Sequence, residues 1–179
     1  KNKFLISIDT YKTETQEFVL SRGAHIINDI YGGSKDLFVL SKKYKNGLVL
    51  MHTPAPPKIM QQKTTMYKDI IKDIKKFFKK KLRQIDKVRI PQNKIWLDPG
   101  TGFGPANWDW EDRYRYQERV YSNLDQLKIF DLPVYVALPW KFEDGRRHLL
   151  EILLEVGFDY GRTHLPHKIL DIKRELESR

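Results

Sequence analysis

Residues 25–52 read HIINDIYGGSKDLFVLSKKYKNGLVLMH. Two short apolar runs, His25 to Asn28 and Leu48 to Met51, bracket a longer amphipathic one from Asp36 to Tyr44. A short apolar run bounded by turn residues reads as a buried strand, and a 3.6-residue period reads as a helix. Two strands joined through a helix pair in parallel, so the stretch predicts one unit of a parallel sheet covered by helices.

The same alternation runs along the whole chain and gives six strand-helix units. The predicted strands are Phe4 to Ile8, His25 to Asn28, Leu48 to Met51, Lys94 to Leu97, Val134 to Leu138 and Asp159 to Arg162. The predicted helices lie near Thr13 to Ser21, Asp36 to Tyr44, Met66 to Ile85, Glu111 to Leu127, Arg146 to Val156 and Lys168 to Leu176. Gly23 sits where a helix ends in a left-handed residue. The Pro-rich stretch His52 to Pro57 follows a strand directly, so it reads as a loop and not as a domain boundary. The expected fold class is α/β, a TIM (β/α)8-barrel-like domain of parallel strands with outer helices.

With 179 residues and 40% hydrophobic content, the chain can bury the core of one compact domain. No apolar run approaches the roughly 18 residues of a membrane span, and Lys1 to Thr10 lack the apolar stretch of a signal peptide. A cytoplasmic enzyme is expected. The absence of cysteine excludes disulfides, thiolate metal sites and cysteine nucleophiles together. The 33 basic and 23 acidic residues leave a net charge of +10. Between Met66 and Ile85, Lys75, Lys76, Lys79, Lys80 and Arg83 fall mostly opposite the apolar stripe, which favours a solvated outer face over an RNA or membrane patch.

In βα barrels the ligand is bound by loops at the carboxyl ends of the strands, and there the polar residues recur. Asp9 closes the first strand, Asn28 and Asp29 the second, Met51 and His52 the third, and Asp98 the fourth. Lys141 follows the fifth within a few residues, and Arg162 and His164 end the sixth. Any one Asp or Asn could cap the next helix. Six such positions in one layer point to a site.

The runs Ile6-Ser7-Ile8-Asp9-Thr10, Ile26-Ile27-Asn28-Asp29, Leu48-Val49-Leu50-Met51-His52 and Leu97-Asp98-Pro99-Gly100-Thr101-Gly102-Phe103-Gly104 are similar, in order and spacing, to successive strand ends of dihydropteroate synthases. Arg162-Thr163-His164 resembles that family's Arg-x-His. The resemblance implies a transferase of folate biosynthesis that condenses 6-hydroxymethyl-7,8-dihydropterin diphosphate with 4-aminobenzoate or a related arylamine, releasing pyrophosphate. It implies Asp9, Asn28, Met51, Asp98, Phe103 and Lys141 as pterin-binding residues, and Lys141, Arg162 and His164 as catalytic ones. Arg162 and His164 would hold the diphosphate, with Mg²⁺ as cofactor and its protein ligands unassigned.

The residue types suit this role. A pterin edge offers N–H donors beside carbonyl and ring-nitrogen acceptors, which a carboxylate, an amide and an ammonium can satisfy. Met51 and Phe103 would give the flat ring apolar contact, and a guanidinium beside an imidazole suits a diphosphate.

The chain departs from the family pattern on the aminobenzoate side. Family members carry Ser-Arg-Lys-Ser after the fifth strand, where this chain has Pro139-Trp140-Lys141-Phe142. The usual lysine after Gly-Phe-Gly is Pro105, and the usual aspartate after Arg-x-His is Leu165. An insertion from Ala106 to Tyr121 carries Trp108, Trp110, Tyr114 and Tyr116, which either stack on an aromatic substrate or, as aromatics at a loop-helix junction most often do, pack the rim. Nothing matches the family's first two strand-helix units, so residues 1–179 are expected to form one pterin-binding barrel domain that is N-terminally incomplete. Expected partners are small-molecule substrates, with no membrane and no nucleic acid; a homodimer is left open. Two alternatives are a pterin-binding methyltetrahydrofolate methyltransferase domain and a basic RNA-binding or regulatory module on a decayed barrel. Arg162 and His164 favour the synthase over the methyltransferase, which needs no diphosphate site.

Overall fold

The computed structural model describes residues 4–53, 67–103, 108–139 and 146–178. Strands and helices alternate as β1 (Ser7–Asp9), α1 (Thr13–Ser21), β2 (Ile26–Asp29), α2 (Lys35–Tyr44), β3 (Gly47–Met51), α3 (Ile70–Val88), β4 (Ile95–Asp98), α4 (Trp110–Tyr121), β5 (Tyr135–Ala137), α5 (Arg146–Val156), β6 (Tyr160–Arg162) and α6 (Pro166–Glu177). Short 3-10 turns at Gln92–Lys94 and Leu124–Phe130 precede β4 and β5. The strands pair in parallel in chain order from β1 to β4, and β5 pairs with β6. A bridge between Leu97 and Val134 joins the two sets into one array.

Helices on the outer face explain the burial. All five residues of β3 are buried, as expected of a central parallel strand covered on both faces. Ile27, Leu48, Leu50, Ile95, Leu97 and Val136 are packed beneath Leu37 and Phe38 of α2, Ile74, Phe78 and Ile85 of α3, and Leu149, Leu150 and Leu153 of α5. The charged face of α3 lies outside, with Lys76, Lys79, Lys80 and Arg83 exposed. Two of its lysines are drawn partly out of solvent: Lys75 donates to the Gln126 side chain, and Lys81 donates to the Gly33 carbonyl.

Local chemistry places the boundaries. Ser34 caps α2 by accepting from the Leu37 amide, Asp69 caps α3 through Lys72, and Asp109 caps α4 through Asp112. Gly23 follows α1 at φ +92°, as expected, with its amide on the Leu20 carbonyl. Several expected boundaries shift by a few residues, and three of the shifts have a visible cause. β1 begins at Ser7 and not at Phe4, because Phe4 to Ile6 run along the edge, 84%, 66% and 51% exposed. α3 begins at Ile70, where Asp69 supplies the cap. The single helix expected from Glu111 to Leu127 is two elements, since Asn123 turns its side-chain amide onto the Arg119 carbonyl and takes an acceptor from the helix.

Candidate active site

Parallel register sets the strand ends side by side. Asp9 lies opposite Asn28, and Met51 opposite Asp98. Asn28 Nδ2 donates to Asp9 Oδ2 at 3.3 Å. Asn28 is buried, and its Oδ1 has no hydrogen-bond partner among the described residues. A buried orphan acceptor costs stability unless something donates to it, so this atom suits an incoming N–H. Asp29, also at the end of β2, plays a different part. Its carboxylate accepts from the amides of Tyr31 and Gly33 and locks the turn before α2.

Asp98 is buried as well, 4% exposed. Its Oδ1 accepts from the Gly100 amide at 2.7 Å. Burial pushes the carboxyl up to about 7, against the Gly100 amide and the Arg162 charge, which pull it down; the Asp9 charge adds to the rise. Asp9 is also raised, by desolvation, with Arg162 again opposing. Arg162, at the end of β6, thus acts on both carboxylates.

The Asp98 loop is held by a close backbone approach. Gly100 has φ +78°, and a Cβ there would stand 2.2 Å from the His52 carbonyl oxygen. The His52 amide donates to the Asp98 carbonyl at 2.7 Å, and the Met51 side chain lies against Gly100. The His52 imidazole is buried edge-on to Phe77 at 5.2 Å. Burial drives it down to about 4, so it is neutral at physiological pH and serves packing.

A cavity of about 240 Å³ opens at the ends of β5 and β6. Arg162 and His164 line it from β6, Trp110 and Arg113 from α4, and Arg146 from the start of α5. Tyr121 closes it from below, its hydroxyl donating to the Ala137 carbonyl at 3.0 Å. Burial, with a contribution from the Asp98 charge, holds this phenol protonated. The Arg146 guanidinium lies 4.2 Å above the Trp110 ring. The insertion is therefore divided in its roles. Tyr116 stacks on Tyr67 and Trp108 packs edge-on to Tyr116, as the rim-packing reading expects, while Trp110 lines the cavity.

Among the residues singled out in the sequence, the structure brings together Asp9, Asn28 and Asp98, with Met51 beside them and Arg162 coupled to both carboxylates. Arg162 and His164 share the cavity; Asp9, Asn28 and Asp98 do not line it and connect to it through Arg162. Phe103 is half-buried with its amide on the Gly100 carbonyl, and it too does not line the cavity. Lys141 lies outside the described residues. Arg113, Arg146 and Tyr121, with Gln117 on the same cavity wall, escaped the sequence reading; only the aromatic insertion hinted at their neighbourhood. Among the described residues no group of three His, Asp, Glu or Cys could hold a metal ion. These side chains therefore do not fit a protein-built Mg²⁺ cage.

This array sets a carboxylate, an amide with an unpartnered oxygen and a guanidinium at one end of a parallel sheet. A model of the pterin binding enzyme family matches residues 1–141, and the chain belongs to that family. Dihydropteroate synthase of Streptococcus pyogenes is 32% identical over 152 residues, 84% of this chain and 49% of that protein. The chain spans about half the length of the curated relatives it matches. The crystal structure of Yersinia pestis dihydropteroate synthase in a sulfonamide drug complex superposes with a TM-score of 0.81 at 26% identity, covering 99% of this chain and 67% of that one. Dihydropteroate synthase of Thermus thermophilus in complex with 4-aminobenzoate gives 0.75 at 27% identity, covering 97% and 71%. The architecture is of the TIM-barrel type, of which the described residues form six consecutive strands with their helices. Among them no helix is long and apolar enough to cross a membrane.

Proposed function

We propose that this chain carries the pterin site of a dihydropteroate synthase, a cytoplasmic transferase that joins 6-hydroxymethyl-7,8-dihydropterin diphosphate to 4-aminobenzoate. The carrying observation is the buried Asp98 carboxylate beside the Asn28–Asp9 pair. Asp98 accepts from the ring N–H and amino groups of the pterin, while Asn28 offers its orphan Oδ1 to a further donor. Met51 provides apolar contact, and Phe103 and Lys141 complete the ring site in this reading. The relatives' own names and ligands support the assignment.

In the reaction, the bond between the exocyclic methylene carbon and the diphosphate oxygen breaks, and its electron pair leaves with pyrophosphate. The arylamine nitrogen forms the new bond to that carbon and then loses a proton. Arg162 stabilises the growing charge on the leaving group, with His164 assisting. Mg²⁺ would supply charge neutralisation on the diphosphate, and the described side chains do not fit a cage for it.

Calorimetric titration with the pterin diphosphate, with and without Mg²⁺, tests the proposal. Saturable binding to one site, tightened by Mg²⁺, is expected. Absence of binding under both conditions would remove the pterin reading.

A further inference from the structure

We propose that Gln117 and Tyr121 of α4 are positioning residues that clamp the loop after Asp98 against the strand pair that carries Arg162. The two side chains stand one turn apart on the helix and so share a face. Gln117 Nε2 donates to the Thr101 carbonyl at 3.0 Å, in the loop after β4. The Tyr121 hydroxyl donates to the Ala137 carbonyl at 3.0 Å, at the end of β5. One helix face therefore holds two strand ends by their backbones. The inference deepens the pterin reading, on which it rests, by naming what keeps the proposed acceptor in place.

Each bond acts on one of the two groups. Thr101 follows Gly100, whose φ of +78° is a conformation glycine enters without strain. The Gly100 amide donates to Asp98 Oδ1 at 2.7 Å. A hinge so permissive keeps its amide aimed at the carboxylate only while its neighbour is fixed, and Gln117 ties that neighbour to α4. At the other end, Ala137 stands opposite Arg162 in the parallel register, and the Leu138 amide donates to the Arg162 carbonyl at 2.9 Å. Tyr121 thus steadies the strand pair from which the guanidinium acts on both carboxylates. Both bonds are partly buried, so removing a donor leaves a carbonyl that water satisfies poorly.

Among the described residues, the groups that act on Asp98 are Asp9 of β1, Arg162 of β6, and the phenols of Tyr116, Tyr121 and Tyr135. Burial pushes all three phenols up, so they are neutral at physiological pH, as is the buried His52. The Gly100 amide and the Arg162 charge pull the Asp98 carboxyl down, and both are held by the clamp. Neither Gln117→Met nor Tyr121→Phe changes a charge, so a shift that either causes at Asp98 comes through geometry.

The test follows the Asp98 carboxyl by carbon NMR of the ligand-free chain from about pH 4 to about pH 9, its resonance identified by its loss in Asp98→Asn. Gln117→Met and Tyr121→Phe should each raise the Asp98 midpoint by about 0.5 unit or more, because each loosens a group that lowers it. Read through binding, the pterin dissociation constant should rise about 3-fold more near pH 6 than near pH 8.5. A merely structural role lowers the melting temperature and leaves the midpoint in place, so an unmoved midpoint in either variant overturns the inference. Tyr121→Phe removes a single oxygen and Gln117 is only partly buried, so both variants keep the fold. A chain that shows both shifts and binds no pterin keeps the clamp and overturns the pterin reading itself.

Discussion

The Asp98 carboxylate, the proposed pterin acceptor, carries a stability cost. Between the ordinary carboxyl value of 3.8 and about 7, the folded chain keeps a proton that the unfolded chain releases. Stability therefore falls as pH rises through that window, and the penalty is complete above it. Asn at 98 can still accept from the Gly100 amide but carries no charge to bury. Asp98→Asn is expected to stabilise the ligand-free chain at pH 8 by roughly 2 to 4 kcal/mol more than at pH 4. It should also weaken pterin binding by on the order of 2 to 4 kcal/mol. Thermal melts at the two pH values check the first effect; a melt unchanged at pH 8 would mean that the carboxylate is not strained. Arg162→Ala should reduce use of the pterin diphosphate far more than affinity for the pterin lacking phosphate, with His164→Ala milder. Equal losses for the two ligands would assign Arg162 to the ring or the fold. These residues were legible because each ends a strand. Arg146 and Tyr121 were not, since their meeting depends on how α4 and α5 lean over β5, and no periodicity encodes that.

At the scale of elements, strands were readable as apolar runs and helices as 3.6-residue periods, while ends were set by capping side chains that periodicity ignores. Asn123 shows the limit: its flanking apolar residues continue a helical pattern, yet its own side chain ends the helix. The loop after β4 is a second case, where the Gly-rich composition was visible and the need for each glycine was not. Gly100 requires its φ of +78° and the space beside His52, whereas a Cβ on Gly102 would meet only Ala137 Cβ at 3.7 Å. Gly100→Ala should cost at least about 2 kcal/mol, through strain and clash, and Gly102→Ala less than about 1 kcal/mol. Chemical denaturation of both variants distinguishes the positions; equal costs would show that the loop yields. For α3, replacing Lys76, Lys79 and Lys80 with Gln should leave pterin affinity and stability within about 0.5 kcal/mol. A larger loss would give the basic face a role beyond solvation.

Over the described residues, six parallel strands in chain order place Asp9, Asn28, Met51, Asp98 and Arg162 at one end of one array. That order was legible from the alternation of runs, and the family from the residues closing them. What sequence spacing could not supply is the curvature that brings Arg162 of the last described strand within electrostatic reach of Asp9 on the first. The same curvature makes Asp98 answer to both, so the pH dependence of pterin binding reports on the assembled site. In the proposed site its ionised form accepts the ring donors, so affinity should be level above about pH 7 and fall close to tenfold per pH unit below it. Arg162→Ala, which removes a charge that lowers Asp98, should shift that midpoint upward. The deciding measurement is the dissociation constant of 6-hydroxymethyl-7,8-dihydropterin from pH 5.5 to 8.5, for the unaltered chain and for Asp98→Asn (the pH limits are set at about 1.5 units either side of the midpoint, enough for a titration curve to level). The account predicts a sigmoidal profile centred near 7 that flattens and weakens in Asp98→Asn; a flat profile in the unaltered chain, or equal affinity in the variant, would contradict it.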